Sequence, residues 1–159
     1  MSNKPKLSQF GSVDPAPPRV DGEIKDWEFT LTDNETPMFQ RMRNVFSLRN
    51  KGTKEACLAL CTGFESDSAL LRHEVAYVLG QMQNEAAIPK LVEVLGDENE
   101  HVMVRHEAAE ALGAIGDYTI RPVLEQYVNH PLPEISESCE VAIDLLDWCK
   151  SKEYHEVEG

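Results

Sequence analysis

Ala69-Leu-Leu-Arg-His-Glu-Val-Ala-Tyr-Val-Leu-Gly80 and Val102-Met-Val-Arg-His-Glu-Ala-Ala-Glu-Ala-Leu-Gly113 align without a gap at a spacing of 33 residues, from His73 to His106. A period in that range marks stacked helical hairpins, each too small to bury its apolar face alone and therefore packed on its neighbours. Each copy holds one Arg-His-Glu, so the two His-Glu pairs fall on equivalent helices and face the same way.

Outward from this core, the frame continues while the pair does not. Arg41-Met-Arg43 aligns on Arg72-His-Glu74 at an offset of 31, and Ser136-Glu-Ser138 aligns on Arg105-His-Glu107 at the same offset. If His-Glu were needed for packing, the outer repeats would want it too. Alanine and leucine recur at helical spacing, β-branched alternation is absent, and connectors of a few residues carry Gly52, Gly63, Gly96 and Gly116. The predicted hairpins pair 37–50 with 53–63, 68–83 with 85–95, and 101–115 with 118–128, followed by a single helix over 133–150. The expected fold is an all-α, HEAT-like helical-hairpin solenoid of about three and a half repeats. Its domain is expected over 23–150, after a Pro-rich linker or arm at 1–22 and before an acidic tail at 151–159. A short amphipathic piece is expected at 23–31.

Bulk composition sets limits. The chain has 159 residues, long enough for one packed domain. It has neither a long apolar run nor an apolar N-terminal segment, so the expectation is a cytoplasmic protein without a membrane partner. A formal charge of −13 disfavours a nucleic-acid partner, whose affinity would come from clustered Lys and Arg. Cys57, Cys61, Cys139 and Cys149 lack Cys-x-x-Cys spacing and read as reduced, largely core residues.

At about 100° per residue, Leu71, Val75, Val78, Leu79 and Met82 form an apolar stripe, with His73 nearly opposite and Glu74 off its edge. Val104, Ala108, Ala111, Leu112 and Ile115 repeat that pattern, with His106 and Glu107 outside it. Leu70 and Met103 put apolar side chains on the ligand face one turn before each histidine. Imidazole with carboxylate suits iron(II), manganese or zinc, and His73, Glu74, His106 and Glu107 are the candidate metal ligands. Neighbouring His and Glu diverge by about 100°, which favours contributing to two ions over chelating one. The bland alternative is a solvated charge ladder along each helix. The zinc-protease pattern fails because Tyr77 and Glu110 stand four residues after the histidines, and phosphate-loop, dinucleotide and nucleophile-elbow motifs are absent.

The stretches Leu71-Arg-His-Glu-Val-Ala-Tyr-Val-Leu-Gly-Gln-Met-Gln83 and Met103-Val-Arg-His-Glu-Ala-Ala-Glu-Ala-Leu-Gly-Ala-Ile-Gly116 resemble the deoxyhypusine hydroxylases, HEAT-repeat di-iron monooxygenases. Ser12-Val-Asp-Pro-Ala-Pro-Pro18, Phe46-Ser-Leu-Arg-Asn50 and Glu137-Ser-Cys-Glu-Val-Ala142 extend the likeness over nearly the whole chain. The resemblance implies hydroxylation of the deoxyhypusine side chain of translation factor 5A with iron(II) (two irons per complete site) and molecular oxygen. It implies iron ligation by His73, Glu74, His106 and Glu107. The family has two pseudo-symmetric halves with two His-Glu pairs each, and this chain resembles the C-terminal half. As the resemblance has it, His73 and His106 share an iron whose glutamate comes from the other half. Three arrangements follow: a homodimer that rebuilds the site, a complementary half-chain, or a non-catalytic HEAT-repeat interaction module or fragment.

Overall fold

The computed structural model describes residues 2–158, so Met1 and Gly159, at the ends of the expected arm and tail, lie outside the described residues. The regular elements are helices: α1 (Ile24–Leu31), α2 (Met38–Lys51), α3 (Lys54–Cys61), α4 (Ala69–Met82), α5 (Ile88–Gly96), α6 (Val102–Ile115), α7 (Arg121–Glu125), α8 (Pro133–Cys149) and α9 (Lys152–Glu158), with no strand among the described residues. Short 3-10 turns lead out of α3 and into α5 and α7. The pairs α2–α3, α4–α5 and α6–α7, followed by α8, form the expected HEAT-like solenoid.

Local chemistry sets the helix starts. Thr53 Oγ1 accepts from the Ala56 amide at 3.1 Å, Ser68 Oγ from the Leu71 amide at 3.1 Å, and His101 Nδ1 from the Met103 amide at 3.1 Å. Each satisfies a first-turn donor that has no partner inside its helix. His101 is thus a cap.

The helices α2, α4, α6 and α8 pack side by side as one layer, and α3, α5 and α7 back them. Leu71, Val75, Val78 and Leu79, with Val104, Ala108 and Leu112, are completely buried between the layers. Ala76, Gly80, Ala109 and Gly113 are buried as well, on flanks that a single-helix stripe leaves out. Those flanks face the neighbouring repeat. A Cβ on Gly80 would stand 3.1 Å from the Ala111 Cα, and one on Gly113 would stand 3.1 Å from the Ala142 Cα. These two glycines, at equivalent repeat positions, bring α4 onto α6 and α6 onto α8 at close range.

The arginine of the repeat has a structural task. Arg41 Nε donates to the Thr36 carbonyl at 2.7 Å, Arg72 Nη1 to the Ser66 carbonyl at 2.8 Å, and Arg105 Nε to the Leu95 carbonyl at 2.9 Å. Arg41 and Arg105 are buried. Each one ties its helix to the segment entering it, which explains why arginine recurs in three repeats. A solvated charge ladder does not describe them.

The segment before α1 has no regular structure among its described residues, yet it is pinned to the domain. Arg43 donates to the carbonyls of Pro17 and Pro18, the Arg19 amide donates to Ser47 Oγ at 2.7 Å, and Ala16 is buried. Asp14 forms a bidentate pair with the fully buried Arg49 at 2.6 and 3.0 Å. At the other end, the acidic stretch is helical as α9, where the Tyr154 ring meets Trp148 edge-on at 5.2 Å. The cysteines are free thiols, with Cys57, Cys61 and Cys139 in the core.

Candidate metal centre

His73 and Glu74 lie in α4, and His106 and Glu107 lie in α6, on the side of the first layer that faces away from α5 and α7. The Gly80–Ala111 contact sets the two helices close enough for side chains to meet across them. His73 Nε2 lies 3.1 Å from Glu107 Oε1, which spans the repeat boundary. On its own helix His106 Nε2 lies 3.7 Å from Glu107 Oε1 and 3.5 Å from Glu110 Oε1. His73 Nδ1 faces Glu74 Oε1 at 3.8 Å.

Three of these residues converge on a point. One donor atom each from His106, Glu107 and Glu110 lies within 4.8 Å of the others, a spacing that can hold a metal ion. Adjacent His106 and Glu107 therefore converge, against the divergence expected from helical angles alone. Their Cβ atoms do point apart, but three rotatable bonds carry the glutamate carboxylate back toward the imidazole. Of the four residues singled out from the sequence, His106 and Glu107 belong to this set and His73 touches it through Glu107. Glu74 approaches it only through His73. Glu110 joins the set unforeseen, and its signal is the i,i+4 spacing from His106, which brings two side chains onto one face.

The arrangement is electrostatically unfinished. Burial pushes the Glu74 carboxyl above its ordinary range, with Glu107 and Asp14 adding to the effect and His73 opposing it. Glu107 is raised too, by burial first; Glu110 adds to this, against His73 and His106. Among the described residues, the ion pairs of Glu107 and Glu110 are with imidazoles alone. The nearby Arg72 is directed elsewhere, to Glu100 at 2.9 Å.

Two observations are compatible with a divalent metal among these residues. His73 Nδ1 is buried and has no hydrogen-bond partner, an expensive condition for a nitrogen with nothing to bind. The separations of 3.5 and 3.7 Å are long for hydrogen bonds. They are close to the edges of a coordination shell, since ligands about 2.0–2.2 Å from one ion stand about 3.0–3.6 Å apart.

Two shallow depressions flank these side chains. One, of about 330 Å³, is lined by Leu70, His73, His101 and Met103, with Leu70 and Met103 exposed on the ligand face. The other, of about 230 Å³, is lined by Tyr77, Gly80, Gln81, Glu107 and Glu110.

A family model described as HEAT repeats matches residues 58–144, and the chain belongs to the HEAT-repeat family. Within that class it is similar to enzymes. It is 47% identical over 148 residues to deoxyhypusine hydroxylase of Rattus norvegicus, covering 93% of this chain and 49% of the relative. It is 49% identical over 149 residues to deoxyhypusine hydroxylase of Saccharomyces cerevisiae, covering 92% of this chain and 46% of the relative. The solved structure of human deoxyhypusine hydroxylase in complex with glycerol superimposes with a TM-score of 0.86 at 46% identity, over 91% of this chain and 50% of that one. The chain spans about half the length of the curated relatives it matches.

Proposed function

We propose that the chain carries one face of a deoxyhypusine hydroxylase active site, with His73, Glu74, His106 and Glu107 as its iron ligands and Glu110 beside them. The single observation that carries this reading is the cluster itself. His106, Glu107 and Glu110 lie at metal-ligand spacing, His73 reaches Glu107 across the repeat boundary, and a buried ring nitrogen of His73 lacks a partner. Iron(II), when bound, would supply activation of molecular oxygen for hydroxylation.

The protein side of the chemistry follows from the residues. The carboxylates of Glu74 and Glu107 would hold the metal and offset its charge, and a bound cation would favour their ionised forms. Glu110, half-exposed at the rim, is placed to attract a cationic side chain. Deoxyhypusine, a lysine extended by an amine-bearing chain, has that charge. The exposed Leu70 and Met103 supply apolar surface for its methylenes. Translation factor 5A bearing this residue is the proposed protein substrate, and the cytoplasm is the proposed location. No helix among the described residues is long and apolar enough to cross a membrane.

A site open on one side needs a second face. Internal symmetry of the resembled family favours a second copy of this chain related by a two-fold axis, with a complementary half-chain as the other source. Iron per chain, measured together with oligomeric mass and hydroxylation of deoxyhypusine-bearing translation factor 5A, tests the reading. The expected result is an iron-loaded dimer whose iron is lost on His106→Ala. A monomer that binds no iron, alone or with a candidate half-chain, returns the chain to a HEAT-repeat interaction module.

A further inference from the structure

The last repeat has a serine where the one before it has a glutamate, and that serine touches the site. Ser138 in α8 stands at the repeat position of Glu107 in α6. Its side chain is buried. Ser138 Oγ lies 2.5 Å from the Glu134 carbonyl oxygen, four residues earlier in its own helix, and 2.5 Å from His106 Nδ1 across the repeat boundary. Each imidazole therefore reaches the same position of the next repeat: His73 meets Glu107, and His106 meets Ser138.

The two short contacts of Ser138 decide where protons lie. A carbonyl oxygen only accepts, so the single hydroxyl proton of Ser138 goes to Glu134. Toward His106 the hydroxyl then offers lone pairs alone, and Nδ1 must carry the hydrogen. In a neutral imidazole this leaves the lone pair on Nε2. Nε2 is the atom that faces Glu107 Oε1 and Glu110 Oε1.

We propose that Ser138 is the positioning residue of the site: through its hydroxyl it holds His106 in the Nδ1–H tautomer, with the Nε2 lone pair aimed at Glu107 and Glu110. Histidine ligands in metal sites are commonly fixed in this way by a partner on the other ring nitrogen, and loss of that partner typically weakens metal binding about 10–100-fold. A third glutamate at this position would add buried negative charge and give His106 a charged partner in place of a neutral one. The serine of the last repeat thus has a role within the site.

The consequence for metal affinity rests on the iron reading, whereas the tautomer does not, and the test separates them. In the metal-free full chain, labelled with nitrogen-15 in histidine and held at a pH where the imidazoles are neutral, the ring-nitrogen shifts report which nitrogen carries the proton. His106 is expected as a single Nδ1–H tautomer. Ser138→Ala is expected to give a tautomer mixture and to weaken Co²⁺ binding about 10–100-fold with little loss of thermal stability, and Ser138→Thr to restore both. A wild-type ring protonated on Nε2, a tautomer unchanged in Ser138→Ala, or a Thr variant that behaves like the Ala variant overturns the proposal. If the tautomer shifts in Ser138→Ala while the wild type binds no Co²⁺ or iron, the positioning role stands and the metal reading falls.

Discussion

Two polar clusters lie on either side of α4, and they are built in opposite ways. Around Arg49, a fully buried guanidinium meets both oxygens of Asp14, the side-chain oxygens of Gln81 and Asn50, and the ring faces of Phe10 and Phe46 at 4.5 and 4.9 Å. Charge and hydrogen bonds close within the cluster. Around Glu107, three carboxylates and two imidazoles gather without a Lys or Arg pairing with Glu107 or Glu110 among the described residues, and one buried ring nitrogen lacks a partner. The cluster that holds the fold together balances itself, whereas the Glu107 cluster keeps an excess of negative charge, as the proposed cation site requires.

The largest effect expected from breaking this contrast is at Asp14. Asp14→Asn leaves Arg49 buried and unpaired, which costs about 3 kcal/mol. For a domain of this size that corresponds to a fall in Tm of about 10 °C, readable by calorimetry. Metal binding by the folded variant should change little, because Asp14 acts on Glu74 only through its charge.

Next comes Gly80→Ala, which acts on the spacing of the two helices that carry the site. Overpacking against the Ala111 backbone costs about 1–3 kcal/mol, and the better helix propensity of alanine returns about 1 kcal/mol. A net loss of about 1 kcal/mol is expected in urea unfolding. Co²⁺ binding should weaken as α4 is pushed from α6 and His73 from Glu107.

The same acid-to-amide change has the opposite sign in the open cluster. Glu107→Gln removes a carboxylate that burial holds above its usual range, so the metal-free variant should have a higher urea midpoint than the wild type. Its affinity for iron or Co²⁺ should fall. An equal loss of stability in Asp14→Asn and Glu107→Gln would erase the contrast.

The smallest effect is the shape of the pH profile of the metal-free protein. Burial alone would raise the Asp14 carboxyl, but hydrogen bonds from Arg49 and Ser12 and the charge of Arg49 bring it below its ordinary value. Its contribution is present above the unfolded pKa, about 4, and is lost as pH falls through the lower folded value. Glu74 and Glu107 are raised, so their contribution is present below the unfolded pKa and lost as pH rises through the folded value. Stability measured from pH 3 to 8 should lose part of its acid-side fall in Asp14→Asn and part of its decline toward neutral pH in Glu107→Gln.

Much of this architecture is legible in the residue order. The interval of 33 residues, the apolar stripes through Leu71–Met82 and Val104–Ile115, and the cap residues Thr53, Ser68 and His101 follow from contacts within a few residues of one helix. Such contacts depend only on helical geometry, which a linear pattern encodes. The His-Glu pairs stood out because the outer repeats lack them. Glu110 had a local signal in its i,i+4 spacing from His106, whereas nothing local set Ser138 apart from an ordinary surface residue.

What the sequence determined by itself is therefore the repeat, the helix faces and the two pairs of candidate ligands. Tertiary structure alone decided that the arginine of Arg-His-Glu turns inward to bind backbone carbonyls, that the early segment folds back to give Asp14 to Arg49, and that His73 meets Glu107 while His106 meets Ser138. The last two pairings join residues about 30 positions apart on neighbouring helices. Their distances are set by how closely Gly80 and Gly113 let the helix backbones approach, and no periodicity within one helix contains that quantity.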